Sequence, residues 1–333
     1  MLALLIVAGG CAKRNTAYEG AKDIELLQTI PVVGNPRDLS YAGDYLYAAL
    51  DQGGLGVIDT HNYRLNWINS ITATDGSEVS VYRIRLLSTV PEYDALFMYS
   101  TEGTDDIKFV NTSNPDSLRW YGSILGASQD IKDMILRKLE NDPGGNLMEL
   151  LYAQSGTPNN ICYYGRYNGE FWEGSEFSIS TSYPILGLDM DASNIYIASD
   201  QRGLLVYSRA TQQMVSQLAF PGYAEKLITN DGIVYVAARH GGLQIVDVSN
   251  PAQPNLLGNY NTTGYASDID YQDGKVAVSS GSGGVYLFDV SAPANPKLLS
   301  RITDCGYANT VTFMGDRLAV ASRDYGIMIY SLD

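Results

Sequence analysis

Apolar and polar positions in this chain alternate in short runs, and the runs recur in a block of about 42 residues. In the block from Gly264, Ile269 and Tyr271 lie in a first run that ends at Gln272-Asp273-Gly274. Lys275–Ser279 alternates, with Val276 and Val278 on one face, and a glycine-rich turn leads to Val285–Asp289. That third run is apolar on both faces, as a strand covered on both sides must be. Ser291-Ala292-Pro293 breaks it, and Pro296–Ser300 makes a fourth run. Period-two alternation, β-branched and aromatic residues, and Gly/Asp/Pro punctuation predict strands rather than helices. Four short strands per block is one blade of a β-propeller, an antiparallel meander.

The register holds best in the last three copies. Gly222-Tyr223-Ala224, Gly264-Tyr265-Ala266 and Gly306-Tyr307-Ala308 are each 42 residues apart, and a second glycine follows each at a constant interval: Gly242, Gly284 and Gly326. The first copy keeps that interval between Gly34 and Gly54. Two copies are degenerate, around Ile107–Asn111 and around Leu147–Ala153 with Ile161–Tyr164. The second of these carries an enlarged hairpin at Glu140–Gly145. Counting both, seven units fit between Gly34 and Asp333, so an all-β, seven-bladed propeller of four-stranded antiparallel blades is expected.

The third-strand motif, in Leu55–Asp59, Ile107–Asn111, Leu204–Ser208, Leu243–Asp247, Val285–Asp289 and Ile327–Ser331, resembles the LVIVD-repeat family of β-propellers. The resemblance spans roughly residues 24–333 and implies a bacterial surface-type, lipoprotein-type propeller. It brings no agreed activity and no catalytic residues. The last copy stops at its third strand, while Ile24–Ile30 looks like a fourth strand with no blade before it. The expected closure has residues 24–30 completing the last blade, since an open ring would leave sticky unpaired edges.

The first residues add a location. A short apolar stretch ends in Ala8-Gly9-Gly10-Cys11, which reads as a secretory signal over 1–11 with a lipobox-like Cys11. Residues 12–23 would be a flexible tether, and the propeller would occupy 24–333 as a single domain. No Lys or Arg precedes the apolar run and Ala8 stands where Leu is more usual, so an ordinary cleaved signal or an upstream start stays open. Lipidation of Cys11 would anchor the chain on a leaflet, in the outer membrane or at the cell surface, without spanning it. Cys162 and Cys305 fall in units three and seven and read as two separate buried thiols.

Net charge is −15, which argues against nucleic acid, whose phosphates demand a basic footprint. There are two histidines, His61 and His240, and no HExxH, CxxC pair, GxSxG or phosphate-cradling GxGxxG before a helix. Glycine-rich stretches at Gly53–Gly56 and Gly281–Gly284 are hairpin turns. Glu102–Asp106 and Asp189-Met190-Asp191 are acidic enough to consider for calcium but read as solvated turns. No catalytic residue, metal or cofactor is expected.

A propeller offers one face on which the loop entering the first strand meets the loop between second and third strands. Here those loops carry Arg37, Asp38 and Asp51; Tyr183 with Asp200 and Arg202; and Tyr223 and Lys226 with Arg239 and His240. They continue with Tyr265 and Asp268, and end with Tyr307, Arg323 and Asp324. A constant frame with varied loop residues is how a scaffold displays a binding surface. The bland alternatives are inter-blade packing for the repeated tyrosines and a self-compensating polar rim for the charged residues. The leading reading is a monomeric, surface-anchored, non-enzymatic recognition module for a protein or glycan. The rivals are a lactonase-like or glycan-cleaving hydrolase using Asp268, Glu225, His240 and Arg239, and a purely architectural envelope scaffold.

Overall fold

The computed structural model describes residues 24–101, 106–125, 130–139, 147–156, 160–167 and 172–332. The signal segment with Cys11, the tether, residues 102–105 and the hairpin at 140–145 lie outside the described residues. The described chain is an all-β ring of seven sheets. The first strands, in ring order, are Asp38–Ala42, Ile84–Val90, Ile131–Lys138, Gly187–Met190, Lys226–Asn230, Asp268–Gln272 and Ala308–Met314. They open blades 1 to 7, and each blade continues outward through antiparallel second, third and fourth strands. The upper side of the ring is taken as the side of the loops joining second to third strands.

The buried side chains fall into seven clusters, one for each pair of neighbouring blades. This explains the two-faced third strands. In Val285–Asp289, Val285 and Leu287 pack toward blade 7, while Tyr286 and Phe288 pack toward blade 5. Alternate residues of one strand thus serve two different cores. Burial of apolar surface between blades is the main force holding the ring together.

Ring closure follows the expected scheme. Leu26–Ile30 pairs antiparallel with Gly326–Ser331 and serves as the fourth strand of blade 7, with Thr29 opposite Met328 and Ile30 opposite Ile327. Gly326 has φ +91°, and a Cβ there would lie 2.4 Å from the Ile30 carbonyl oxygen. The repeating glycine is therefore a device for close approach of the fourth strand, and it operates across the N- to C-terminal junction too. Gly264 is the partner device on the upper side. Its φ is +97°, and a Cβ would meet the Ser280 carbonyl oxygen at 2.2 Å.

Blade 2 departs from the expected four strands. A hairpin of Ser70–Ala73 and Glu78–Ser80 adds to its outer edge, giving a six-stranded sheet. Ser70–Ala73 joins Arg119–Leu125 in parallel, with Arg119 opposite Thr72 and Trp120 opposite Ala73. The addition covers an outer edge that would otherwise present unpaired backbone groups. Cys162 and Cys305 are both free and buried, and burial raises both thiols, that of Cys305 to about 11. Burial thus works against either thiol ionising to a reactive thiolate.

Candidate functional site

The upper rim is knit together by its own backbone. The loop after the second strand of one blade hydrogen-bonds to the segment leading into the first strand of the next. Asp200 and Ala224 exchange bonds of 3.1 and 2.9 Å, Arg239 and Ala266 bonds of 3.0 and 3.1 Å, and Ala308 donates to Gly281 at 3.1 Å. Asp51 donates to Ile84 at 2.9 Å in the same way. The bridging residues are left-handed: Asp51, Asp200, Arg239 and Gly281 have φ of 52°, 43°, 44° and 53°. Of these four bridging residues, only Gly281 is a glycine. An arginine held in this region is strained, a cost of about 1 kcal/mol or more that side-chain function commonly explains.

Arg239 is the centre of the rim. Its Nε donates to Glu225 at 2.5 Å and its Nη1 to Asp200 at 3.0 Å. Its guanidinium stands 5.7 Å from the Tyr223 ring and 5.4 Å from the Tyr265 ring, and His240 meets Tyr265 edge-on. The same pairing recurs on either side: Arg202 lies 4.5 Å over Tyr183, and Arg323 lies 4.3 Å over Tyr307. Asp324 accepts from the Tyr307 N–H at 2.7 Å and faces Arg323 at 3.6 Å. Arg37 reaches Asp51 at 3.4 Å. Arg37, Arg239 and Arg323 are thus each paired with a rim carboxylate, while Tyr325 stands 53% exposed and Tyr223 is also exposed.

Asp38, Lys226 and Asp268 lie deeper, on the first strands that wall the channel. There carboxylates bind one blade to the next. Asp38 accepts from Leu39 at 2.9 Å in its own blade and from Leu87 at 2.8 Å in blade 2. Asp133 does the same with Met134 and Leu188 at 2.9 Å each, and Asp189 with Met190 and Thr229 at 2.7 Å each. Asp268 accepts from Thr310 Oγ1 and Val311, and Asp270 from Tyr271, Thr312 Oγ1 and Phe313. Between blades 2 and 3 the Ser88 hydroxyl substitutes, accepting from Leu136 at 2.8 Å. Asp189 corrects the expectation of a solvated turn: it is 1% exposed and paired with Arg137. Asp191 is the turn residue, accepting from Ser193, Asn194 and the Tyr196 hydroxyl.

Lys226 forms an ion pair with Asp133, two blades away. Burial pushes Asp38 up to about 7; Lys226 opposes the rise and Asp268 adds to it. Burial also pushes Asp270 up to about 6 and raises Asp189 and Asp268. Raised carboxylates mark many active sites. Here, however, Asp38, Asp133, Asp189 and Asp270 each engage both oxygens with backbone N–H groups, so their first role is to hold the blades in register. No group of three or more His, Cys, Asp or Glu with metal-binding geometry occurs among the described residues.

Two cavities open on the lower side. One, of about 140 Å³, lies between blades 2 and 3 and is lined mainly by aromatic side chains. The other, of about 530 Å³, lies across blades 3 to 5 and is polar, with Arg137, Lys138, Glu149, Asp191, Arg209 and Asp231 in its wall. From sequence, Asp191 alone among the residues lining either cavity stands out as a candidate for chemistry. The one available signal was that both lie on or beside the two degenerate blades.

The LVIVD repeat family model matches residues 33–62 and 221–262, which fall in blades 1 and 5. No curated protein matches the chain. Among solved structures, the Myceliophteria thermophila Cps50 (Swd1) β-propeller domain aligns with a TM-score of 0.69 at 11% identity, covering 93% of this chain and 100% of that one. The computationally designed Ika8 protein aligns with a TM-score of 0.63 at 12% identity, again covering 93% and 100%. At such identities the likeness is one of fold.

Proposed function

We propose that this propeller is a non-enzymatic recognition module that binds a protein partner on its upper rim, at a bacterial cell envelope. The observation that carries the reading is the run of arginine–tyrosine stacks over blades 4, 5 and 7: Arg202 on Tyr183, Arg239 between Tyr223 and Tyr265, and Arg323 on Tyr307. Tyrosine and arginine dominate binding hot spots, and side chains held in place before binding lose little entropy on association. A protein partner fits better than a glycan, because guanidinium groups already stand over these rings, where a sugar would stack. The carboxylates of Asp200 and Glu225 hold the Arg239 guanidinium, and Asp324 faces that of Arg323, which suits recognition and requires no chemical step.

Orientation supports anchoring through Cys11. Leu26 pairs with Tyr330 and Ile30 with Ile327, so the chain enters blade 7 from the lower side. A twelve-residue tether over 12–23 reaches at most ~40 Å. An anchor there would hold the lower side near a leaflet and turn the rim outward.

Replacing Arg239 and Arg323 together with alanine is expected to weaken partner binding by about 2 kcal/mol or more, roughly 30-fold. Quantitative affinity capture from solubilised envelope, with wild type and the double variant side by side, measures this. Equal recovery of every partner by both proteins would remove the rim from the account.

A further inference from the structure

The rim leaves the 140 Å³ cavity between blades 2 and 3 without a role. Its wall holds five aromatic residues, Tyr93, Phe97, Phe109, Tyr121 and Tyr167, and a carboxylate, Asp94, stands exposed beside them. Phe97, Phe109 and Tyr167 are buried and in mutual contact, with ring centroids 4.3, 5.2 and 4.7 Å apart, so this part of the wall is fixed. Tyr121, 44% exposed, stands at the mouth. We infer that this cavity binds a small organic ammonium cation, of the methylated quaternary kind, with its alkyl groups among the rings and its charge toward Asp94.

Several observations on different footings support this. A cavity of ~150 Å³ takes a benzene-sized molecule, which is also the size class of a trimethylammonium group. Aromatic faces attract cations through the ring quadrupole, and they favour quaternary ammonium because it is weakly hydrated. The chain itself supplies a precedent: the Lys138 ammonium stands 5.9 Å from the Tyr93 centroid. Lys138 also lines the polar cavity next door, so an anionic group attached to the bound cation would find a partner there. The turn Pro91–Tyr93 presents Asp94 in a left-handed conformation, φ 48°, at which asparagine is tolerated, so its charge can be removed without rebuilding the turn. The chain's net charge of −15 favours a cation over an anion at any open site.

The probe is choline, titrated into the full chain and followed by ligand-observed NMR. Its neutral isostere neohexanol, with carbon in place of nitrogen, is the control. Choline is expected to bind at least ~10-fold more tightly than neohexanol, since the cation–π and carboxylate contacts act on charge alone. Tyr121→Leu is expected to weaken choline about 10-fold at unchanged melting temperature, the residue being at the mouth. Asp94→Asn is expected to weaken it a few-fold at low salt and to make no difference at high salt. Vesicles of phosphatidylcholine against phosphatidylglycerol separate the two sources of such a group. Sedimentation with the former that free choline competes away identifies a lipid headgroup, and choline binding without sedimentation identifies a soluble cation. Equal binding of choline and neohexanol, or no choline binding by folded protein, overturns the inference.

Discussion

Deleting residues 24–30 is expected to lower the melting temperature by roughly 10 °C and to make the protein self-associate. Four residue pairs join this segment to the last strand, and Glu25 accepts a further bond from Ser331 at 2.9 Å. Ile30 is 5% exposed and packs in the core between blades 7 and 1, beside Ile327 and Ile329. Lost ladder bonds at about 1 kcal/mol each and a lost buried isoleucine at about 2 give roughly 7 kcal/mol. For a domain of this size that is a shift of about 10 °C. The larger consequence concerns the new edge. Without its partner, the strand Gly326–Ser331 exposes the backbone of an apolar run, Ile327-Met328-Ile329-Tyr330, a template for pairing between chains. Calorimetry and light scattering read the two effects. A truncated chain that melts with the full-length protein and associates no more than it does would disprove the closure.

Replacing Lys226 with methionine is expected to cost about 3–5 kcal/mol at pH 8, because it leaves Asp133 as a buried charge without its cation. Part of that loss should return at pH 5, as Asp38, which Lys226 also attracts, takes up a proton. The sign follows from Asp38, whose folded pKa of about 7 lies above the ordinary carboxylate value near 4. Between those limits the folded state holds more protons than the unfolded one, so stability rises as pH falls through the window. Asp270, at about 6, acts in the same direction. Lys226 itself is raised, so its contribution is fully present below its unfolded value near 10.5 and does not change between pH 5 and 8. Removing it takes away the attraction that holds Asp38 down, which enlarges the effect. Wild type should show the same trend more weakly. Melting temperatures across pH 5 to 8 decide it: a variant as stable as wild type at pH 8, or one whose deficit does not shrink on acidification, contradicts the channel electrostatics.

The fold was legible because a propeller repeats its constraints. The third strand must be apolar on both faces because two cores need it, and the glycines recur because the fourth strand passes too close for a side chain. The closing strand could be read from the missing fourth run at the end and the orphan run at the start. The hairpin at 70–80 has no position in the repeat unit, although Asp75-Gly76 between alternating runs signals one. In the candidate site, the rim and the channel could not be told apart by proximity to the glycine. What separates them is the period of two in the first strand: Asp268, Asp270 and Gln272 bond to blade 7, while Ile269 packs in the core toward blade 5. Asp133 and Asp189 belong to the same pattern, an aspartate followed by an apolar residue, as in Asp38-Leu39. The lower cavities lie beside the blades where the repeat fades, and a reading built on the repeat has least to say there.

The central claim, that the upper rim is the recognition face, is tested most directly by site-specific photo-crosslinking in living cells that make the full chain. One probe replaces Tyr325, exposed on the rim; the other replaces Asn62, exposed on a lower-side turn. A discrete crosslinked protein from position 325 that disappears in the Arg239→Ala/Arg323→Ala background, with none from position 62, is the expected result. The same discrete product from position 62 with none from 325 would contradict it.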